Sequence, residues 1–208
     1  MEVVRPQTPE ETHETTLMST KKLTQKVRKA MRDHELVRFA RSMDGVGWLE
    51  GYVVAVGKHW VAMALVTSGE PDGWTIFPRS DLRSIWTSPS DRFMRRLLEL
   101  DGQWPPAAPT ASLPLDGTVR ELVDSAGAAF PLVAFWTEAE DDSDIYYVGR
   151  PFRWTSKKLY WSDLNPNAEW SSLRLPYKQS DITRITVGGR YETSLARVAQ
   201  PCPRLPQR

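Results

Sequence analysis

Phe77-Pro78-Arg79-Ser80-Asp81-Leu82-Arg83-Ser84-Ile85 is answered one hundred positions later by Tyr177-Lys178-Gln179-Ser180-Asp181-Ile182-Thr183-Arg184-Ile185. Around this pair the matches continue in the same order. Leu36-Val37-Arg38-Phe39 answers Leu132-Val133-Ala134-Phe135, Trp48-Leu49-Glu50-Gly51 loosely answers Tyr146-Tyr147-Val148-Gly149, and His59 to Val66 corresponds to Ser156 to Ser162. Phe93, Leu97 and Leu100 answer Tyr191, Leu195 and Val198 downstream. Matches that keep their order over this length mark an internal repeat.

Each copy reads as a run of short strands. In the first, Gly47 to Val56 is strand-like, a Gly57-Lys58 turn leads to His59 to Val66, a polar loop runs from Thr67 to Gly73, and Trp74 to Arg79 and Leu82 to Ile85-Trp86 follow around the Ser80-Asp81 turn. Leu36 to Arg41 either continues the preceding helix or begins a further strand. Parallel strands need a crossover of a dozen or more residues, and none separates these, so the pairing is antiparallel.

Helical spacing flanks both meanders. Leu23, Val27, Ala30, Met31 and His34 recur on one face from residue 20, with Lys21, Lys22, Lys26, Arg28, Lys29 and Arg32 on or beside the other. Ser90 to Leu100 repeats the spacing through Phe93, Leu97 and Leu100. Asp116 to Ser125 reads as a short helix with Thr118 and Glu121 spaced as a capping box. The expected organisation is a disordered polar arm (1–19), a first helix-plus-sheet domain (20–102), a Pro-rich linker (103–114), a second such domain (115–199) and a flexible tail (200–208).

The composition supports short elements: nine Trp beside sixteen Pro and twelve Gly. Twenty-seven Lys+Arg against twenty-six Asp+Glu leave a formal charge of +1, so no uniformly basic coat exists and any basic surface is local. The one cysteine, Cys202, excludes an intrachain disulfide framework and a thiolate metal cluster. The longest strongly apolar stretch, Trp60 to Val66, is far shorter than the roughly 20 residues a membrane helix needs, and no apolar signal segment follows Met1. The expectation is a cytoplasmic protein without a membrane span.

The phrases Gly51-Tyr52-Val53-Val54, Trp74 to Leu82 and Leu175 to Ile185, placed behind an N-terminal helix, resemble those of Sm-like and broader SH3-like small barrels, as in small bacterial proteins of that type. The resemblance spans residues 20–199. It implies a mainly β chain with short helices (α+β): two tandem, strongly bent five-strand barrels with flanking helices. Sm-like proteins bind single-stranded RNA through an Asp-x-x-Asn turn and an Arg-Gly or Lys-Gly pair. This chain has Gly57-Lys58-His59 and Pro78-Arg79-Ser80-Asp81 in the first copy, and Lys178-Gln179-Ser180-Asp181 in the second.

No catalytic, metal-binding or cofactor-binding constellation emerges. His13, His34 and His59 have no second ligand at metal spacing, Gly188-Gly189 lacks a following phosphate signature, and Gly45-x-Gly47 stands outside a βαβ unit. The acidic run from Glu138 to Asp144 lacks the ligand ladder and glycine of a calcium loop and reads as a solvated hairpin loop. Asp81 and Asp181 are read as turn formers that accept backbone hydrogen bonds. Interleaved cations and rings mark candidate contacts for a partner or a nucleic acid: Lys22, Lys26 and Lys29 on the first helix, Lys58, His59, Trp60 and Arg79 in the first copy, and Trp154, Lys157, Lys158, Tyr160 and Trp161 in the second. Strand alternation turns half of those rings inward. The favoured function is that of a non-enzymatic binding or adaptor protein, with its protein partner, or a second copy, held on barrel edges or between the domains. The alternative is single-stranded RNA or DNA binding.

Overall fold

The structure is a computed structural model that describes residues 20–43, 47–138 and 146–203. The polar arm, most of the acidic run and the end of the tail lie outside the described residues. Helix α1 (Thr20–Asp33) buries Leu23, Val27 and Ala30, the one stripe its spacing offers, and turns its lysines outward. Strands β1 (Leu36–Arg41), β2 (Leu49–Val56), β3 (Trp60–Thr67) and β4 (Glu70–Pro78) follow. A 3-10 turn over Arg79–Asp81 leads to β5 (Leu82–Thr87) and helix α2 (Asp91–Leu100). The sequence then repeats itself in structure: α3 (Val119–Ala129), β6 (Val133–Trp136), β7 (Tyr146–Trp154), β8 (Lys158–Leu164), β9 (Trp170–Lys178), a second 3-10 turn over Gln179–Asp181, β10 (Arg184–Val187) and α4 (Arg190–Val198). The α3 start carries the full capping box, with Thr118 and Glu121 satisfying each other's backbone N–H.

All ten strands form one antiparallel sheet, in the order β5-β1-β2-β3-β4-β10-β6-β7-β8-β9. This overturns the two closed barrels that the resemblance implied, and with them the Sm-like or SH3-like identity. Within each half the order is fifth, first, second, third, fourth strand, but the ends of the half do not meet. The free side of β4 is taken by β10, through Ile76↔Ile185, Thr75↔Thr186 and Trp74↔Val187. A strand has two hydrogen-bonding sides, so once β4 pairs with β3 and β10 it has none left for β5. The sheet therefore stays open and continues from one half into the other.

The joint needs Gly73. Its φ is +73°, and a Cβ built there would lie 2.5 Å from the Val187 carbonyl oxygen and 2.4 Å from the Gly189 nitrogen, both immobile backbone. One face of β3 and β4 then packs into the second half's core. Trp60, Ala62 and Ile76 join Leu122, Val123, Ala126, Phe135, Leu159, Trp161 and Ile185 in a single buried cluster. A separate cluster under α1 holds Val37, Phe39, Val61, Met63, Phe77 and Ile85.

The Pro-rich segment lies against both halves. Trp104 meets Tyr52 edge-on at 5.6 Å, the Trp74 indole N–H donates to the Ala107 carbonyl at 2.8 Å, and the Leu115 carbonyl accepts from the Trp60 backbone N–H at 3.1 Å. Leu113 and Leu115 pack on the shared core.

Candidate functional site

Two constellations stand out, a buried ionic cluster at the seam of the halves and the pair of open sheet ends. In the cluster, the fully buried Arg41 side chain donates to Glu138 Oε2 at 2.5 Å and to the Thr183 carbonyl at 2.9 Å, and lies 3.5 Å from Asp81. Arg184 meets the other oxygen of Glu138 at 2.9 Å and stacks over Trp136 at 3.8 Å. Thr183 Oγ1 donates to Glu138 at 2.7 Å. Two cations face two carboxylates. Burial pulls the Arg184 pKa down to about 10, with Glu138 opposing, and burial raises the Asp81 carboxyl despite the pull of Arg41. Every strong acceptor here is occupied by an arginine or a threonine, so the cluster is built to clamp β1 and the Arg79–Asp81 turn to the second half.

The β9 end differs from the internal joint at every position that made the joint. Matched by register on their third strands, Gly73, Trp74, Thr75 and Ile76 of β4 correspond to Leu173, Arg174, Leu175 and Pro176 of β9. The Gln179 N–H donates to the Lys157 carbonyl, so by alternation the even-numbered N–H groups of β9 point away from the sheet. Pro176 sits at such a place and has no N–H to offer. Arg174 and Lys178 add charge beside it. Proline and charge on a free strand are the usual means of blunting an edge.

The β5 end has no proline within its strand, and its one charge is the exposed Arg83. The Ser88 N–H donates to the Leu36 carbonyl, which by the same alternation points the Ile85 and Thr87 N–H groups outward. Two grooves flank this edge. One, of about 330 Å³, is lined by Lys26, Lys29, Ala30, Val37, Ile85 and Trp86. The other, of about 660 Å³, runs past Thr87 and Pro89 to Asp91, Arg92, Phe93 and Arg96 of α2. Lys29 is tied to Asp33 and Glu35, and Arg96 approaches Glu99 at 3.6 Å. Arg92 is exposed and has no ion-pair partner among the described residues.

The residues singled out from sequence are scattered over this frame. Lys22, Lys26 and Lys29 are exposed on α1. Exposed Lys58 donates its backbone N–H to Asp116 at 2.5 Å, and His59 is exposed beside it. Arg79 reaches Thr24 at 3.3 Å. Trp60 is buried and donates its indole N–H to the Gly117 carbonyl, and Trp161 has no exposed surface, so neither ring is open to a base or a partner. Trp154 donates to Asp124 at 2.7 Å, Lys157 and Lys158 are exposed, and Tyr160 lies under Arg153. Asp81 and Asp181 end the two 3-10 turns and accept from Ser80 and Ser180, side chain to side chain. Glu138 is buried rather than solvated, and the rest of the acidic run, 139–145, lies outside the described residues.

The sequence did not single out Arg92 and Arg96, nor Arg41, Glu138 and Arg184 as a cluster. Their only sequence signal is an arginine at the end of β1 and another at the start of β10. Among the described residues, no set of three His, Cys, Asp or Glu side chains is placed to hold a metal ion, and no helix is long and apolar enough to cross a membrane. Comparison of the chain with protein-family models, with curated proteins and with solved structures returns no match.

Proposed function

We propose that this chain is a non-enzymatic binding protein that holds an extended segment of a protein partner along an open edge of its sheet. The observation that carries the reading is the proline-free β5 edge, whose outward N–H groups at Ile85 and Thr87 stand between two grooves. Backbone hydrogen bonds supply affinity in strand addition, and pockets for alternate side chains supply specificity. The same reading takes the protein to be cytoplasmic, in keeping with its single free Cys202.

Selection of a displayed library of random nine-residue peptides against the full chain tests it. Enriched peptides should be rich in strand formers and should lose binding when an edge is altered. Enrichment of nothing, or of peptides indifferent to both edges, would overturn the reading. Anisotropy of labelled single-stranded RNA and DNA across salt serves as the opposing arm. Retention at low salt with steep loss as salt rises would move the function to the α1 lysines and to Lys157 and Lys158.

A further inference from the structure

We infer that the β5 edge, together with Arg92 and Arg96, accepts an antiparallel strand from another protein, of the pattern acid-x-acid-x-apolar-x-apolar. The inference rests on the edge-binding reading above and names the edge and the chemistry of its occupant.

The template is inside the molecule. β10 and β5 are the same strand of the two halves, and β10 is already occupied by β4. There, Ile76 and Trp74 lie opposite Ile185 and Val187 and pack into the core roofed by α3. Further back along β4, beyond a register shift at Asp72–Gly73, Asp72 and Glu70 meet the helix that follows β10. Asp72 accepts from the Arg190 backbone N–H at 2.8 Å, and the Arg190 guanidinium pairs with Glu70 and lies 3.6 Å from Asp72.

Among the described residues the first half has the corresponding strand, helix and groove, with exposed Thr87 in place of buried Val187, and no strand paired to it. Ile85 and Thr87 stand where Ile185 and Val187 stand. The groove under α1, floored by Ala30, Val37 and Ile85, lies where Ile76 enters beneath α3. Helix α2 follows β5 as α4 follows β10, and its first turns bring Arg92 and Arg96 into the second groove. The register of the internal joint, carried over to β5, places an apolar residue opposite Ile85, a second opposite Thr87 and the two acids at α2.

The chain's own second half is not the occupant. Its free fourth strand presents Leu173 for Gly73, Arg174 for Trp74 and Pro176 for Ile76, which adds a side chain where backbone must approach, removes a hydrogen-bond donor and brings a cation toward Arg92. A two-unit array blunted at one end and open at the other is suited to a foreign strand.

The probe is a fluorescein-labelled peptide of this chain's residues 70–78, Glu-Pro-Asp-Gly-Trp-Thr-Ile-Phe-Pro, titrated with the full chain and read by anisotropy. Saturable binding is expected, weakened about tenfold or more by Arg92→Glu and by Thr87→Pro, and falling as salt rises. Replacing Glu70 and Asp72 of the peptide by lysine should restore binding to the Arg92→Glu chain. Arg92→Ala with Arg96→Ala is the companion variant that leaves the strand backbone untouched, and it should lose binding without a change in melting temperature. Binding unchanged by these substitutions would overturn the inference, as would no binding of the probe, or a concentration-dependent dimer abolished by Thr87→Pro, which would make the occupant a second copy. The library peptides separate the two levels. If they bind and only changes on β9 weaken them, the edge reading stands and the β5 assignment falls; if no extended peptide binds at all, both fall.

Discussion

At the scale of single residues, two buried groups decide how the fold responds to mutation and pH. Glu138 pairs with Arg41 through one oxygen and with Arg184 through the other, and its side chain is 2 % exposed. Removing it by Glu138→Ala leaves largely buried Arg184 without its carboxylate and Arg41 with only Asp81 at 3.5 Å, so stability should fall by about 3–5 kcal/mol, read by urea denaturation. The triple change Arg41→Met, Arg184→Met and Glu138→Leu removes both cations with the anion between them and should lie closer to the parent than Glu138→Ala does. Asp163 works in the opposite sense. Burial pushes its carboxyl up to about 6, with Arg174 pulling it back, and its Oδ2 finds no hydrogen-bond partner among the described residues. The folded carboxyl thus binds its proton more tightly than the unfolded one, whose pKa is about 3.9. Stability from this group falls as pH rises between those two values, and the full penalty stands above about 6. Asp163→Asn should therefore raise the melting temperature at pH 7.5 by about 2–4 °C, with the gain vanishing as pH is lowered toward 4.

At the scale of elements, strands and helices were legible because local chemistry writes them. Leu23, Val27 and Ala30 mark α1 by spacing, Thr118 and Glu121 announce the start of α3, and the repeat around Ser80-Asp81 and Ser180-Asp181 falls on two equivalent 3-10 turns. The choice of partner for β4 was not legible. Strand alternation shows which side chains of β4 are apolar, but both closure on β5 and continuation into β10 would bury them, and the choice turns on a distant contact of Gly73 with Val187 and Gly189. Glu138 was illegible for a related reason: it heads an acidic run in sequence, and only the fold brings Arg41 and Arg184 to it. The difference between the two fourth strands predicts an engineered outcome. Giving β9 the joint's residues through Ser172→Asp, Leu173→Gly, Arg174→Trp, Leu175→Thr and Pro176→Ile should make the chain associate head to tail, with light-scattering mass rising with concentration. The parent chain should show no such rise.

For the whole molecule, the halves are joined by more than the 103–114 segment. They share a hydrophobic cluster, a strand joint, the Arg190 ion pairs and the buried Arg41–Glu138 contact. The 103–114 segment touches the first half through Trp104 and the Ala107 carbonyl, and the second through the Ser112 carbonyl, which accepts from Ser125 Oγ at 3.4 Å. An array built this way has ends, and the account turns on their inequality: β9 is blunted by Pro176, and β5 is open. Residue-resolved amide hydrogen exchange on the monomeric full chain tests that most directly, because equivalent strands can be compared within one sample. The account predicts slow exchange for Ile185 and Val187, which are paired with β4, and fast exchange for Ile85 and Thr87, whose N–H groups face away from β1. Slow exchange at Ile85 and Thr87 in the monomer would mean that β5 is already covered, and would contradict both the open sheet and the function proposed for its edge.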